Sequence, residues 1–551
     1  MAINGFEDWN GNPINKERYG GLKAAYFIYF MVVMCAMAYT TNMLNMVTYL
    51  HGTMHTSIAS SSTIVTTFYG VTCAFTLLGG FLSDSYVSRF KTILIFAPFE
   101  FLGFAMLAME SYFPSLKPKA CNVEAMQGII KCEQVHGGNE VLLCVALFTI
   151  ALGEGCLRAN LASFGGDQFD SDDPVESQLK SSFFNWFGFV TSLGLLTGLL
   201  LIVWIENNKG WDYGFGLSSV LVSIGIAVIA SGFRLYRFQI PQGSPLTRML
   251  QVFVAAFRNR KHSFPVRVEE DEGEIQEESD HRDGDKQYME FKFLDKALIM
   301  TDGRNTGVWS HCSKAQVEET KIVLRMLPIF IGSVFGYIPI PLLLTFSVQQ
   351  GTAMNTKLGK IKISPASLVA IGVILMMILI IIYDRFFVPL ARRFTGYTRG
   401  ITPLQRVGAG FIVLALATSV SALIERRRKH ALEMNGVHIS VLWLSLQFLI
   451  LGITEVAAFV GLLEFFNTEI SKGMKSLGTA IFWCIIGFSS LLGSALIQVV
   501  NRASNGWLHG ADLNKSHLDK FYWLLSCIAS LSFFNFLYWS KKYTYIHDPH
   551  K

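Results

Sequence analysis

The chain has 551 residues, of which 51% are hydrophobic, 13% aromatic and only 16% charged, with a formal net charge of +5. So many apolar side chains exceed what a soluble globule can bury, and apolar stretches of roughly 20 residues, each long enough for a helix to cross a ~30 Å hydrocarbon core, recur along the chain. The small positive charge is spread over short loops, which excludes nucleic-acid binding as a function.

Taken in order, the chain opens with a polar segment, residues 1–23, read as cytosolic. The first apolar run, about Ala24 to Leu50, is too long for the apolar core of a cleaved signal and reads as a retained span. Apolar windows then centre near residues 37, 71, 102, 151, 193, 225, 334, 375, 413, 452, 487 and 529, predicting about twelve transmembrane helices in an all-α membrane protein. Residues 24–238 form one six-helix bundle and 322–540 a second, with a cytosolic tail at 541–551. Between the bundles, residues 239–321 carry a basic patch (Arg258, Arg260, Lys261) and an acidic run from Glu269 to Glu278. That linker has too little apolar surface to fold by itself, and it offers a docking segment for a cytosolic partner.

Of the nine cysteines, Cys35, Cys73, Cys144, Cys156, Cys484 and Cys527 fall inside apolar runs and read as small buried hydrophobes. Cys121 and Cys132 share one polar loop outside the cytosol, where they either pair as a disulfide or remain free thiols. Basic residues near span ends (Lys16, Arg18, Lys23, Arg89, Lys91, Arg385, Arg392, Arg393, Arg399, Arg406, Lys541, Lys542) place both termini in the cytosol. One group dissents: Arg426, Arg427, Arg428 and Lys429 follow the ninth span on the outer side, where Asn514-Lys515-Ser516 also makes a weak glycosylation sequon.

An ionisable group at bilayer depth is costly unless it is paired or faces water, so the few present mark pathways or packing networks. In the fourth span Glu154 and Arg158 are four residues apart, on one helical face, where the carboxylate neutralises part of the guanidinium charge. In the tenth span Glu455 is the expected partner from the other bundle, and Glu100 in the third span reads as structural or lipid-edge. All twelve histidines lie in loops or at span edges, and no nucleophile arrangement, phosphate-binding glycine loop or metal-ligand cluster is visible, so an enzyme, a cofactor and an ATP-driven pump are not expected.

Several blocks then stop being generic. Gly79-Gly80-Phe81-Leu82-Ser83-Asp84-Ser85-Tyr86, with Arg89 and Lys91, resembles the loop between the second and third helices of the major facilitator superfamily. That likeness implies the superfamily fold and gives Asp84 and Arg89 the task of holding the first bundle closed. Phe164-Gly165-Gly166-Asp167-Gln168-Phe169-Asp170 and Ser182-Phe183-Phe184-Asn185-Trp186-Phe187 resemble the signature of proton-coupled oligopeptide transporters. Leu294-Asp295-Lys296-Ala297, Gln316-Val317-Glu318-Glu319, Tyr383-Asp384-Arg385-Phe386 and Gly400-Ile401-Thr402-Pro403-Leu404-Gln405-Arg406 narrow the resemblance to the plant nitrate/peptide branch, from about Gly20 to Trp539.

The departures are as informative. The family's first-helix Glu-x-x-Glu-Arg/Lys motif, which couples protons to transport, falls on Val32, Cys35 and Ala36, none of which can titrate as the motif requires. Arg158 stands at the fourth-helix Lys position, Glu455 at the tenth-helix Glu, and Ile340 where a nitrate-carrying relative has a histidine. The resemblance implies a pocket lined by Arg158, Glu154, Tyr337, Ile340 and Glu455, with Trp186 and Trp483 placed nearby as guesses. The expected activity is alternating-access transport of a small organic solute, an anionic or amphipathic metabolite or hormone-like acid, with weak or absent proton coupling, across the plasma or vacuolar membrane. Two alternatives stand beside it: proton symport of nitrate or peptide through Glu154 or Glu455, and a non-transporting sensor. The expected partners are that solute and membrane lipids.

Overall fold

In lipid a single segment satisfies its backbone hydrogen bonds only by coiling into a helix. Among its described residues the computed structural model contains twelve helices long and apolar enough to cross a bilayer: Gly21–Gly52, Ile58–Ser85, Arg89–Tyr112, Gly138–Gly166, Trp186–Asn208, Trp211–Arg234, Lys314–Thr352, Ala366–Phe394, Pro403–Met434, Val441–Phe466, Gly478–Ala503 and Leu518–Lys542, here called spans one to twelve. It describes all residues except 1, 16–18, 119–134, 136, 171–172, 240–242, 244, 262–290, 300–308, 310–311, 359–360, 396–400, 471–474, 505, 509–512 and 546–551. Cys121, Cys132 and the acidic run from Glu269 to Glu278 lie outside the described residues.

The polar start of the chain carries structure that composition did not announce. Strand β1 (Ala2–Glu7) pairs antiparallel with β2 (Pro13–Asn15) and with β3 (Phe238–Gln239), tying the N-terminal segment to the foot of span six. Asp8 closes the hairpin by accepting the Asn12 and Asn10 backbone N–H groups at 2.9 and 2.8 Å, and these bonds hold its carboxyl below the usual carboxylate range. Trp9 then lies edge-on to Phe90, Phe233 and Phe238.

The linker also departs from expectation at its described ends. A helix at Pro245–Arg258 and a short turn at Lys292–Leu298 bury Val252, Ala255, Ala256, Leu294 and Ala297 against Cys312 and Val317 at the foot of span seven. Asp295 pairs with Lys321 at 2.5 Å. The linker therefore orders its ends by docking on the second bundle rather than by building a core of its own. Span seven begins at Lys314, inside the segment read as linker, because Ser313 and Gln316 form a reciprocal capping box there.

The bundles meet unevenly. On the face opposite the linker, one apolar cluster joins Val47, Leu50 and Met54 of the first bundle to Val348, Met354, Val441 and Leu444 of the second. Across that face Ser62 donates to Gln349 Oε1, Gln349 Nε2 donates to the Ile58 carbonyl, Thr67 and Ser494 share a hydroxyl–hydroxyl bond, and Asn207 donates to Ser364. On the linker side the buried cluster of the first bundle (Ala24, Ile28, Phe90, Phe164, Phe183, Tyr236) includes no second-bundle residue among those described. The molecule is thus sealed on the far face and parted toward the linker.

The dissenting basic cluster has a structural explanation. Arg428 is 1% exposed and grips Glu425 through two bonds of 2.7 and 2.8 Å while donating to Asn514 Oδ1 at 2.6 Å. Lys429 reaches the Ser516 carbonyl and Asp519, and Arg427 lies 4.1 Å over the Trp443 ring. Three of the four cations are therefore spent on neighbours instead of on the membrane surface. The Ser516 hydroxyl is buried and donates to the Leu513 carbonyl, so both ends of the sequon are engaged in the folded chain. Breaking the buried pair with Arg428→Ala is expected to cost about 3–5 kcal/mol in unfolding of the purified protein, and Glu425→Leu/Arg428→Met together to recover most of it.

Candidate functional site

The i, i+4 spacing of Glu154 and Arg158 on span four works out as a contact: Arg158 Nη2 and Nε donate to Glu154 Oε1 at 2.7 and 3.1 Å. Their side chains are 14% and 8% exposed. Glycines fix this face of span four. A Cβ at Gly153 would stand 2.5 Å from the Glu100 nitrogen and one at Gly155 2.4 Å from the Thr72 carbonyl, so spans two, three and four pack backbone to backbone here.

Aromatic rings complete the cation's surroundings. Tyr39 of span one lies 5.2 Å from the Arg158 guanidinium carbon and Trp483 of span eleven 4.6 Å, so one ring comes from each bundle. Tyr39 sits in a π-helical turn, Ala36–Thr40, and its hydroxyl donates to Thr72 Oγ1 at 2.9 Å. Such a turn inserts one extra residue per helical ring and re-aims the side chains after it.

The second bundle faces this centre with a matching irregularity. Glu455 opens a π-helical turn, Glu455–Phe459, is partly buried, and its carboxylate has no hydrogen bond or ion pair among the described residues. Tyr337 is 2% exposed with its hydroxyl unpartnered, at the point where span seven breaks before Pro339, and Ile340 follows it, 5% exposed. Tyr69 of span two stands between the halves, within electrostatic reach of Arg158 and of Glu455, and Tyr337 feels both Glu455 and Tyr69. Arg158, Tyr69, Tyr337 and Glu455 therefore form one polar line across the bundle interface.

Other expected residues separate into those near this line and those away from it. Val32, Cys35 and Ala36 are buried in the first span, and Cys35 Sγ donates to Glu100 Oε2 at 3.7 Å. Glu100 is 0% exposed and lies on the face of span three that meets Gly153, so of the two readings, structural or lipid-edge, the lipid-edge one is overturned. Trp186 is 55% exposed and packs edge-on with Phe189, and the rings over Arg158 are those of Tyr39 and Trp483 instead. At the linker end, Arg89 pairs with Asp84 at 3.2 Å but more closely with Asp167 at 2.6 Å, and donates to Gln239 of β3 at 2.8 Å. Asp167 was visible inside the Gly-Gly-Asp-Gln block and Glu100 as a charge inside an apolar run, whereas Tyr69 and Tyr39 had no local signal of a role at the site. Near the same end of the second bundle, Arg406 lies 4.0 Å over Tyr383, donates to the Val456 carbonyl and pairs with Glu464 at 3.6 Å.

Two bundles sealed on one face, with a charged and aromatic line at their interface, define a membrane transporter of the two-bundle, major-facilitator kind. The POT family model matches residues 90–516. Protein NRT1/PTR FAMILY 4.4 of Arabidopsis thaliana is 38% identical over 98% of this chain and 90% of its own length, and NRT1/PTR FAMILY 4.3 of the same plant is 37% identical over 97% and 92%. The crystal structure of an auto-inhibited POT family peptide transporter superposes with a TM-score of 0.71 at 20% identity, covering 96% of this chain and 98% of that one. The chain belongs to the POT family, in its plant NRT1/PTR branch.

Proposed function

We propose that this transporter carries a small organic anion, or an amphipathic acid with an anionic head, by alternating access around Arg158. The observation that carries the reading is the guanidinium held between Tyr39 and Trp483, one ring from each bundle, with its Nε and Nη2 both donating to a single oxygen of Glu154. An arriving carboxylate or sulfonate competes for those donors, while the rings and the buried, apolar Ile340 accept hydrocarbon bulk. Ile340 offers no imidazole, so nitrate lacks the contact that the family resemblance would assign it there.

In this reading the linker face is cytosolic, since most span-end cations collect there and the opposing cluster at Arg427 to Lys429 is held by its own neighbours. The Asp84–Arg89–Asp167 contacts brace the first bundle while the halves rock. Val32, Cys35 and Ala36 supply no titrating group, so any proton dependence must come from other spans.

Competition in proteoliposomes tests the substrate class. Small aromatic monoanions are expected to inhibit uptake of labelled benzenesulfonate saturably, and their uncharged amides to inhibit at least about tenfold less, the cost of one lost charge-assisted contact. Equal inhibition by the amides, or no saturable uptake of any anion, would refute the reading.

A further inference from the structure

The centre contains a charge imbalance. Glu100 is completely buried, and among the described residues its Oε1 has no partner and its Oε2 is met only by the Cys35 thiol at 3.7 Å. One carboxylate oxygen each from Glu100 and Glu154, together with Cys35 Sγ, lie within 4.8 Å of one another. Arg158 gives its contacts to Glu154. Two carboxyls from different spans therefore share one counter-cation.

Among the described residues no second cation faces them. From span one the neighbour is Cys35, and from span four they are Glu154 and Arg158. Span two directs Tyr69 and Cys73 toward Arg158. Span six reaches this level through Ser219, whose hydroxyl donates to the Phe101 carbonyl, and its ionisable residues stand at its two ends, Asp212 and Tyr213 in the first turn and Arg234, which lies over the Phe233 ring, at the last residue. A metal ion is a poor fit for the three ligand atoms, because the guanidinium already occupies one of the carboxylates. With both carboxyls ionised, the cluster would hold one uncompensated negative charge in a space where span three touches span four backbone to backbone.

We propose that Glu100 and Glu154 act as a proton-holding pair, with the resident proton on Glu100, and that one monoanion and one proton load together. This rests on the reading of Arg158 as the anion seat. In the empty carrier Glu100 is a carboxylic acid, Glu154 is ionised on Arg158, and the cluster is neutral. An anion that takes over the Arg158 donors frees Glu154, which accepts a proton from water on the loading side; the cluster with its solute is again neutral. On the opposite side the anion leaves, Glu154 returns that proton to water and pairs with Arg158 once more. The titrating acid that span one lacks is supplied across the same space by Glu154 of span four, with Glu100 of span three held neutral beside it, and transport is electroneutral.

The two carboxyls can substitute for each other, which makes the test specific. Benzenesulfonate stays ionised throughout, so any pH dependence of its uptake belongs to the protein. Uptake by the wild type is expected to rise toward acid by up to about tenfold per pH unit, the limit for one titrating proton, and to ignore an imposed membrane potential. Glu154→Gln is expected to keep that pH dependence, because Glu100 then ionises against Arg158 and takes the proton in its place. Glu100→Gln/Glu154→Gln together is expected to abolish it and to make residual uptake potential-sensitive. A pH-independent Glu154→Gln, or a pH-dependent double variant, overturns the proposal. Infrared difference spectra of the purified, solute-free protein at neutral pH supply a second measure: the wild type shows a buried carboxylic-acid carbonyl band that Glu100→Gln lacks. Absence of that difference overturns the resident proton even if benzenesulfonate is not carried, whereas its presence without anion uptake refutes only the anion seat.

Discussion

Replacing Arg158 by alanine is expected to reduce anion uptake by roughly 100-fold or more, the equivalent of about 3 kcal/mol or more, because the side chain removed serves both solute and site. Among the described residues the guanidinium is the one cation that this centre sets against Glu154 and Glu100, and it bridges a ring from each bundle. Arg158→Lys keeps the charge but not the planar fork, so it loses the stacking on Tyr39 and Trp483 and is expected to restore only a few per cent of uptake, about the cost of one charge-assisted contact. A purely structural role is separable from this one. In Glu154→Gln/Arg158→Gln the buried charges are removed together, so the protein is expected to purify as a monodisperse, folded species with near wild-type thermal stability, yet to remain inactive toward benzenesulfonate. Recovery of uptake in that double variant would show that Arg158 only neutralises Glu154, and the anion reading would fall.

How much of this was legible in the sequence depends on the range of the interaction. The twelve spans follow from apolar length alone, and the Glu154–Arg158 contact follows from helical spacing, because both are local. The burial of Glu100 against Cys35 and Glu154 depends on glycines in span four that let spans three and four touch, a tertiary fact with no periodic signature. Tyr69 was hidden for the same reason: one tyrosine in an apolar span looks like packing until the partner bundle is in place. Trp186 failed in the opposite direction, since its presence in a family-like block gave no information about which side of the helix met lipid. The linker was read as unable to fold by itself, and its ends order only by borrowing the foot of span seven. The Arg426–Lys429 cluster resisted the charge rule because counting cations takes no notice of Glu425, Asp519 and Asn514, which hold them.

Linking the two bundles covalently on their sealed face is expected to stop transport altogether. Spans two and eleven cross at small residues: a Cβ at Gly70 would stand 2.7 Å from Leu491 Cγ, and one at Gly487 2.9 Å from Cys73 Cβ. About one turn beyond this crossing, toward the far face, Thr67 Oγ1 and Ser494 Oγ are 2.6 Å apart, and Ser494 Oγ also donates to the Thr63 carbonyl at 3.3 Å. Hydroxyl oxygens that close place the two Cβ atoms near the ~3.5–4.5 Å that a disulfide requires. Thr67→Cys/Ser494→Cys is therefore expected to cross-link under mild oxidation, to lower uptake to the level of empty vesicles, and to recover after dithiothreitol. Each single cysteine variant should keep its activity under the same oxidant, which guards against reactions of the native Cys73 and Cys484. The loss should be complete rather than graded, since a covalent bond removes the outward-parted state from the population instead of shifting its weight. Wild-type uptake by fully cross-linked protein would mean that spans two and eleven stay together through the cycle, and that the halves do not rock about the Gly70–Gly487 crossing.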